Sequence, residues 1–340
     1  MIRGINVNKR IWISLIAIIS IIVLAACGTN DNEESGSETE GEETYTIGAS
    51  QFVEHPSLDA AYEGFQDAIE DVGLNVEYDL QSAQGDQNNT GPIAQGFVAD
   101  NVDLIFANAT PSAQAAFQAT KDIPILFTSV TDGVEAGLVE SMDKSGENIT
   151  GVMDLHPDAI SNTIAFIDSY FEGATVGVIY NAGEQNSVSQ IEAVKEAIDG
   201  SSLSLVERTV STSAEVQQSA TSLVGDADVF YIVTDNTVVT ALEAVVGVAN
   251  EQDIPLIVGE PDSLARGGFA TYGIDYHTIG YRTGEMAVEI LTGEKTAADI
   301  PPEYPPSMQL FINKDAAEEQ GIEWNDAWDE EAEFKETVEE

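Results

Sequence analysis

Eight apolar, β-branched runs recur along the chain, at 44–49, 75–80, 102–107, 123–129, 175–180, 203–210, 228–234 and 254–259. Helical or polar segments separate them. Continuous apolar strands that alternate with helices predict parallel sheets covered on both faces, an α/β architecture. The helices are legible as well. Residues 57–72 set Leu58, Ala61, Tyr62, Phe65, Ile69 and Val72 on one stripe. Thr110 reads as an N-cap with Pro111 at the first helical position. Asp235 or Asn236 is expected to cap a helix running to about Asn250, and another covers 277–291 with Ile279, Met286 and Ile290.

The two sets of strands echo each other. Residues 103–129 and 228–260 both pass from an apolar strand through a polar capping loop and a helix to Asp-Ile-Pro and a further apolar strand. A chain of 340 residues is long enough for two domains. The expectation is two similar Rossmann-like lobes with parallel sheets.

In open parallel sheets, ligands bind beyond the carboxyl ends of the strands. Polar residues gather there: Phe52 and Glu54 after the first run, Asn108, Thr110 and Ser112 after the third, Thr128 and Ser129 after the fourth. The second lobe offers Tyr180, Asn181, the stretch Glu184 to Asn186, Asp235, Asn236 and Asp275. Each residue also has a duller role. Thr110, Ser57 and Asp235 are good caps, Phe52 and Tyr180 suit a core, Glu54 suits a solvated loop, and Asp275 suits a strand end. Their shared location carries the argument. Facing polar rims make a cleft that can close on a small molecule.

Chemistry is hard to find. No P-loop, no G-x-G-x-x-G and no G-x-S-x-G elbow occurs. His55, His156 and His277 are isolated, without zinc-site spacing, and read as surface or loop residues. No catalytic residue, metal or cofactor is expected. Binding is favoured over turnover.

The amino-terminal end adds a location. Arg3, Lys9 and Arg10 precede an almost wholly apolar stretch to Ala26, the layout of a secretory signal. Leu24-Ala25-Ala26-Cys27 resembles the bacterial lipobox, which implies cleavage before Cys27 and lipid on that residue. Cys27 is the only cysteine, so the exported domain has no internal disulfide. Residues 27–44 are acidic and lack aromatic residues, which suits a disordered tether. The expected location is the extracytoplasmic face of the cell membrane, lipid-anchored.

The formal net charge is −48; loss of the three signal cations leaves nine basic residues against 60 acidic ones, or −51. Such a balance excludes a general nucleic-acid binder. It also suits a halophile, since at 1 M salt the Debye length is about 3 Å and self-repulsion is screened.

Longer blocks carry a resemblance. "QFVEHPSLDAAYEGF" (51–65), "NATPSAQAAFQATKDIPILFTSVTD" (108–132), "VIYNAGEQNSVSQIEAVKEA" (178–197), "TDNTVVTALEAVV" (234–246) and "GIDYHTIGYRTGEMAVEIL" (273–291) stand in the order found in the solute-binding lipoproteins of tryptophan/tyrosine-type ABC importers. The chain resembles that family from about 45 to 322. The acidic tether and the tail after Trp324 depart from it. The resemblance implies a type I periplasmic-binding-protein fold with three interlobe crossings, near Gly151, Asp275 and Pro305. Lobe one would then be 45–150 with 276–305, lobe two 151–275 with 306–323, and 324–340 an acidic tail without assigned function, whose charge argues for a solvated segment, either a weak amphipathic helix or disordered. It also implies an ABC permease as partner, a monomer, and an aromatic or apolar L-amino acid as ligand. A tethered sensory receptor, or the same fold holding a sugar or nucleoside, is the alternative.

An amino acid needs an anion for its ammonium, for which Asp235, Asp275 and Glu54 are the candidates. Its carboxylate needs donors, which the helix start after Thr110 and the hydroxyls of Thr110, Ser112, Thr128 and Ser129 can supply. Phe52, Tyr180 and Tyr276 are candidates for ring contacts, and Arg266 reads as a surface residue.

Overall fold

The computed structural model describes residues 44–338. The expected signal segment, Cys27 and all but the last residue of the tether lie outside the described residues. The first sheet contains β1 (Thr44–Gln51), β2 (Asn75–Ser82), β3 (Leu104–Asn108), β4 (Ile125–Val130) and β5 (Ile149–Met153), all parallel in the order β2-β1-β3-β4-β5. Helices α1 (Pro56–Asp71), α2 (Gln87–Asp100) and α3 (Thr110–Ala119) connect the first four strands.

The second lobe begins with α4 (Ala159–Tyr170) and carries β6 (Thr175–Asn181), α5 (Gln185–Ile198), β7 (Ser204–Val210), α6 (Val216–Leu223) and β8 (Val229–Ile232). It continues with α7 (Asn236–Val239), α8 (Leu242–Gln252), β9 (Leu256–Val258), α9 (Asp262–Ala265) and β10 (Ala270–Gly273). Helix α10 (Tyr276–Leu291) returns to the first lobe. The chain then adds β11 (Gln309–Asn313), α11 (Lys314–Glu319), α12 (Trp328–Glu331) and β12 (Glu333–Lys335) to the second. That sheet runs β12-β11-β10-β9-β8-β6-β7, and only the β10–β11 pair is antiparallel. Its strands β7-β6-β8-β9-β10 repeat the order of the first sheet. The echo seen in sequence is therefore a repeated doubly wound unit, with switch points at β1/β3 and β6/β8.

The central strands are fully buried, as their apolar runs require; β3, β4 and β8 show no partly exposed position. Helix α1 buries Leu58, Ala61, Phe65, Ala68 and Ile69 on one face. It packs on α10 through glycines at close approach. A Cβ on Gly280 would lie 1.9 Å from the Ala61 carbonyl oxygen, and one on Gly64 would lie 2.1 Å from that of His277. Gly280→Ala forces this backbone contact apart and is expected to destabilise the protein by about 1–3 kcal/mol. A lowered urea midpoint checks this.

Three local readings need correction. Ala109, not Thr110, occupies the cap of α3, because the chain leaves β3 through a positive φ. The helix after Asp235 is two pieces, α7 and α8, since the chain bends at Thr240 and Ala241. The acidic tail is packed. Trp328 is 1% exposed and meets the rings of Phe166, Tyr170 and Phe269, while β12 pairs with β11. Trp328, and in part Trp324, bury apolar surface that the high acid count concealed, while Phe334 is exposed.

The lobes are linked after Met153, around Ile274 and Asp275, and between Glu303 and Met308. Two of these links pair: the Met153 amide donates to the Glu303 carbonyl (2.9 Å), and the Glu303 amide donates to that of Gly151 (3.0 Å).

A closed polar cleft as the candidate ligand site

The carboxyl ends of β3 and β4 are strained. Ala109 has φ 87° and ψ 154°, a region almost reserved for glycine, and Ser129 has φ 55°. Each such residue costs of order 1–3 kcal/mol and persists only where its surroundings impose it. Around these turns, side-chain oxygens of Ser50, Asn108, Thr110, Ser112, Thr128 and Ser129 are buried without a hydrogen-bond partner. Buried polar atoms are normally satisfied, so this concentration marks a place built for something polar.

The second lobe presents carboxylates. Asp235 follows β8 and caps α7. Its Oδ1 accepts from the Val238 amide (2.8 Å) and its Oδ2 from the Asn181 amide (2.6 Å). Glu184, after β6, accepts from the amides and side chains of both Asn236 and Thr237. Burial, then the charge of Glu184, pushes Asp235 up to about 7. Glu260, after β9, accepts from the amides of Asp262 and Ser263 and from the Ser263 hydroxyl.

Asp154 stands at the first crossing. Its Oδ2 accepts from the Tyr276 hydroxyl (2.9 Å), while its Oδ1 is buried with no partner. Burial raises its pKa to about 6, against the opposing hydrogen bond from Tyr276.

Between the two rims lies a cavity of about 20 Å³. His55, Leu58, Ser129 and Thr131 line it from the first lobe. Asn186, Thr234, Asp235, Asn236, Val239 and Glu260 line it from the second, with Asp154 and Tyr276 at the crossings. No Lys or Arg lines it. Its volume holds about one water, so an organic solute needs the lobes to part and the side chains to move. Direct contacts span the lobes. The Ser57 hydroxyl lies 2.7 Å from Glu260 Oε2 and 3.0 Å from Asp262 Oδ2, and Gln87 Nε2 donates to the Gly183 carbonyl (3.1 Å).

His55 is the loop residue its isolation suggests, but it is half-buried and faces the cavity. It lines the cavity with a buried, unpartnered Nδ1. Burial, then the nearby Arg266 charge, holds its pKa down at about 4, so the ring is neutral. Asn236, held by Glu184, lies beside the ring. A neutral imidazole has one donor and one acceptor nitrogen.

Of the residues singled out from sequence, Ser129, Asn186, Asp235, Asn236 and Tyr276 line the cavity. Asn108, Thr110, Ser112 and Thr128 lie at the same strand ends with unpartnered atoms but do not line it. Asn181 is a neighbour, its side chain donating to Thr237 (2.9 Å). Phe52 sits in a small apolar cluster with Val53, Leu58, Ala83 and Ala109. Tyr180 packs on the second lobe's core and donates to Glu207. Glu54 is exposed, and Asp275 is an exposed cap of α10. Asp154, Glu260, Thr131 and His55 went unselected. Glu260 follows an apolar run directly, so the strand-end rule reaches it; Asp154 follows a strand whose run was not recognised.

Two α/β lobes with facing polar rims form a cleft suited to a small solute. The chain belongs to the ABC transporter substrate-binding protein family, whose model matches residues 46–335. It has the type I periplasmic-binding-protein fold, and it is a receptor and not an enzyme. It is 43% identical over 317 residues to a protein named tyrosine-binding protein from Clostridioides difficile (strain R20291), covering 91% of each chain. A substrate-binding domain from Streptococcus pneumonia, solved in complex with L-Trp, is 31% identical and superposes with a TM-score of 0.81 over 86% of this chain and 99% of that one. The ligand-free, open structure of a substrate-binding protein with adhesive properties from Clostridium difficile is 41% identical, yet its TM-score is 0.64 over 86% and 100%. The nearer relative in sequence superposes less well. The lobes here are therefore arranged as in the closed form.

Proposed function

We propose that this receptor binds one aromatic L-amino acid, L-tyrosine, and delivers it to an ABC permease. The observation that carries this reading is the buried, unpartnered Oδ1 of Asp154 in a cavity lined by no Lys or Arg. An ammonium satisfies that oxygen. Asp235 is the poorer partner, since both its oxygens already accept backbone N–H groups. The unpartnered hydroxyls at the ends of β3 and β4 suit the ligand carboxylate, and Tyr276, His55, Leu58 and Val239 suit its ring. The tyrosine- and tryptophan-binding relatives support the same class of ligand. Lipid on Cys27 would tether a monomeric receptor to the outer face of the membrane.

Calorimetric titration with L-tyrosine tests this. One-to-one binding is expected at neutral pH, with no heat from sugars or nucleosides. Affinity should fall as the pH drops below about 6, by up to about tenfold per pH unit, because Asp154 must be ionised to hold an ammonium. The unliganded protein should respond oppositely. With the folded pKa of Asp154 raised above the ordinary aspartate value of 3.8, its contribution to stability is present below about pH 4 and is lost as the pH rises through about 6. The size is on the order of 2–3 kcal/mol. Binding of a sugar in place of an amino acid, or an affinity that rises on acidification, would refute the ligand assignment.

A further inference from the structure

We infer that the carboxyl-terminal segment 324–338 is a positioning element for the ligand cavity, acting through Lys335 on Asp262; the use of tyrosine in its test rests on the reading above. The segment reaches the cleft through the short loop that carries Glu260. The Val338 amide donates to the Ala265 carbonyl at the end of α9 (2.9 Å). Asn313 Nδ2 lies within hydrogen-bond distance of both the Leu264 carbonyl (2.7 Å) and the Thr337 hydroxyl (2.8 Å), clasping α9 to the tail. Lys335 Nζ lies 3.6 Å from Asp262 Oδ1.

The other oxygen of Asp262 lies 3.0 Å from Ser57 Oγ, at the start of α1 in the opposite lobe. Ser57 Oγ also lies 2.7 Å from Glu260 Oε2, and Glu260 lines the cavity. One hydroxyl has one proton, so two carboxyl groups compete for it. Lys335 draws on Asp262 and leaves the Ser57 proton to Glu260. Without that cation, Asp262 stands beside Glu260 as a like charge. The loop 260–263 then spreads, and the contact that closes the lobes weakens. Both partners of the ion pair are about one-third exposed, which keeps the effect modest.

The test is a double-mutant cycle read by L-tyrosine affinity and by solution scattering without ligand. Lys335→Gln is expected to weaken tyrosine binding about three- to tenfold and to enlarge the radius of gyration, with an unchanged melting temperature. Lys335→Arg should restore both. In an Asp262→Asn background, Lys335→Gln should have no further effect. Wild-type affinity and dimensions in Lys335→Gln would overturn the inference, as would an undiminished effect of Lys335→Gln beside Asp262→Asn. If the wild-type protein does not bind tyrosine, the ligand assignment fails, while the scattering arm still decides the role of the tail.

Discussion

Asp154→Asn is expected to weaken amino-acid binding by about 100-fold or more, roughly 3 kcal/mol, while leaving the protein folded. Removing one partner of a buried, hydrogen-bonded charge pair typically costs 2–5 kcal/mol. Asp154 is buried, with one oxygen held by Tyr276 and the other unpartnered toward the cavity. The substituted amide keeps an oxygen for Tyr276 but turns N–H donors toward the incoming ammonium. The variant should melt at a higher temperature than wild type without ligand, because a carboxylate whose pKa burial raises to about 6 is destabilising when ionised at neutral pH. Titration calorimetry and thermal melting together separate the loss of a ligand contact from the loss of a fold. Full affinity in Asp154→Asn, with affinity lost instead in Asp235→Asn, would move the ammonium site.

The second large effect concerns selectivity. His55→Phe is expected to abolish a preference for tyrosine over phenylalanine that is on the order of 100-fold in the wild-type protein. A site that hydrogen-bonds a ligand hydroxyl discriminates against the analogue lacking it by leaving its own buried group unpaired. The neutral ring of His55 has one acceptor nitrogen, and no group on the protein meets its buried Nδ1. A phenol O–H supplies that donor. Phenylalanine affinity should hold or improve in His55→Phe while tyrosine affinity drops. Equal tyrosine and phenylalanine affinities in the wild-type protein would remove His55 from this role.

The alternation of apolar runs was enough to read the doubly wound core, because the inner strands β1, β3, β4, β6, β8 and β9 are largely buried and need apolar sequence, while β2 and β7 are partly exposed edge strands. Other strands escaped. β5 and β10 are short and border the crossings, β11 runs antiparallel, and β12 is an edge strand with a charge at either end. Each owes its pairing to tertiary contacts and not to a local pattern. The same division governs the site. Ser129, Asp235 and Asn236 follow recognisable strands, so the strand-end rule reached them. His55 stood in the loop already singled out, but spacing says nothing about the burial of a lone ring. Phe52 and Tyr180 were candidates for ring contacts because they are aromatic and stand at strand ends; packing buries Phe52 and lays half-buried Tyr180 against the second lobe's core with its hydroxyl on Glu207. The tail misled because composition counts charges and ignores where Trp324 and Trp328 fall.

The closed lobes also bear on affinity. Ser57 with Glu260 and Asp262, and Gln87 with Gly183, join the lobes through protein groups alone. A ligand must break some of these contacts to enter and regain others on closing. Binding therefore reports the difference between two closed arrangements, and weakening a lobe-to-lobe contact shifts that balance.

A crystal structure of the protein grown with L-tyrosine tests the central claim most directly. The expected result is one tyrosine between the lobes, its ammonium about 3 Å from Asp154 Oδ1 and its phenol oxygen about 3 Å from His55 Nδ1. A cleft still filled by the protein's own side chains, with tyrosine bound elsewhere or not at all, would contradict it.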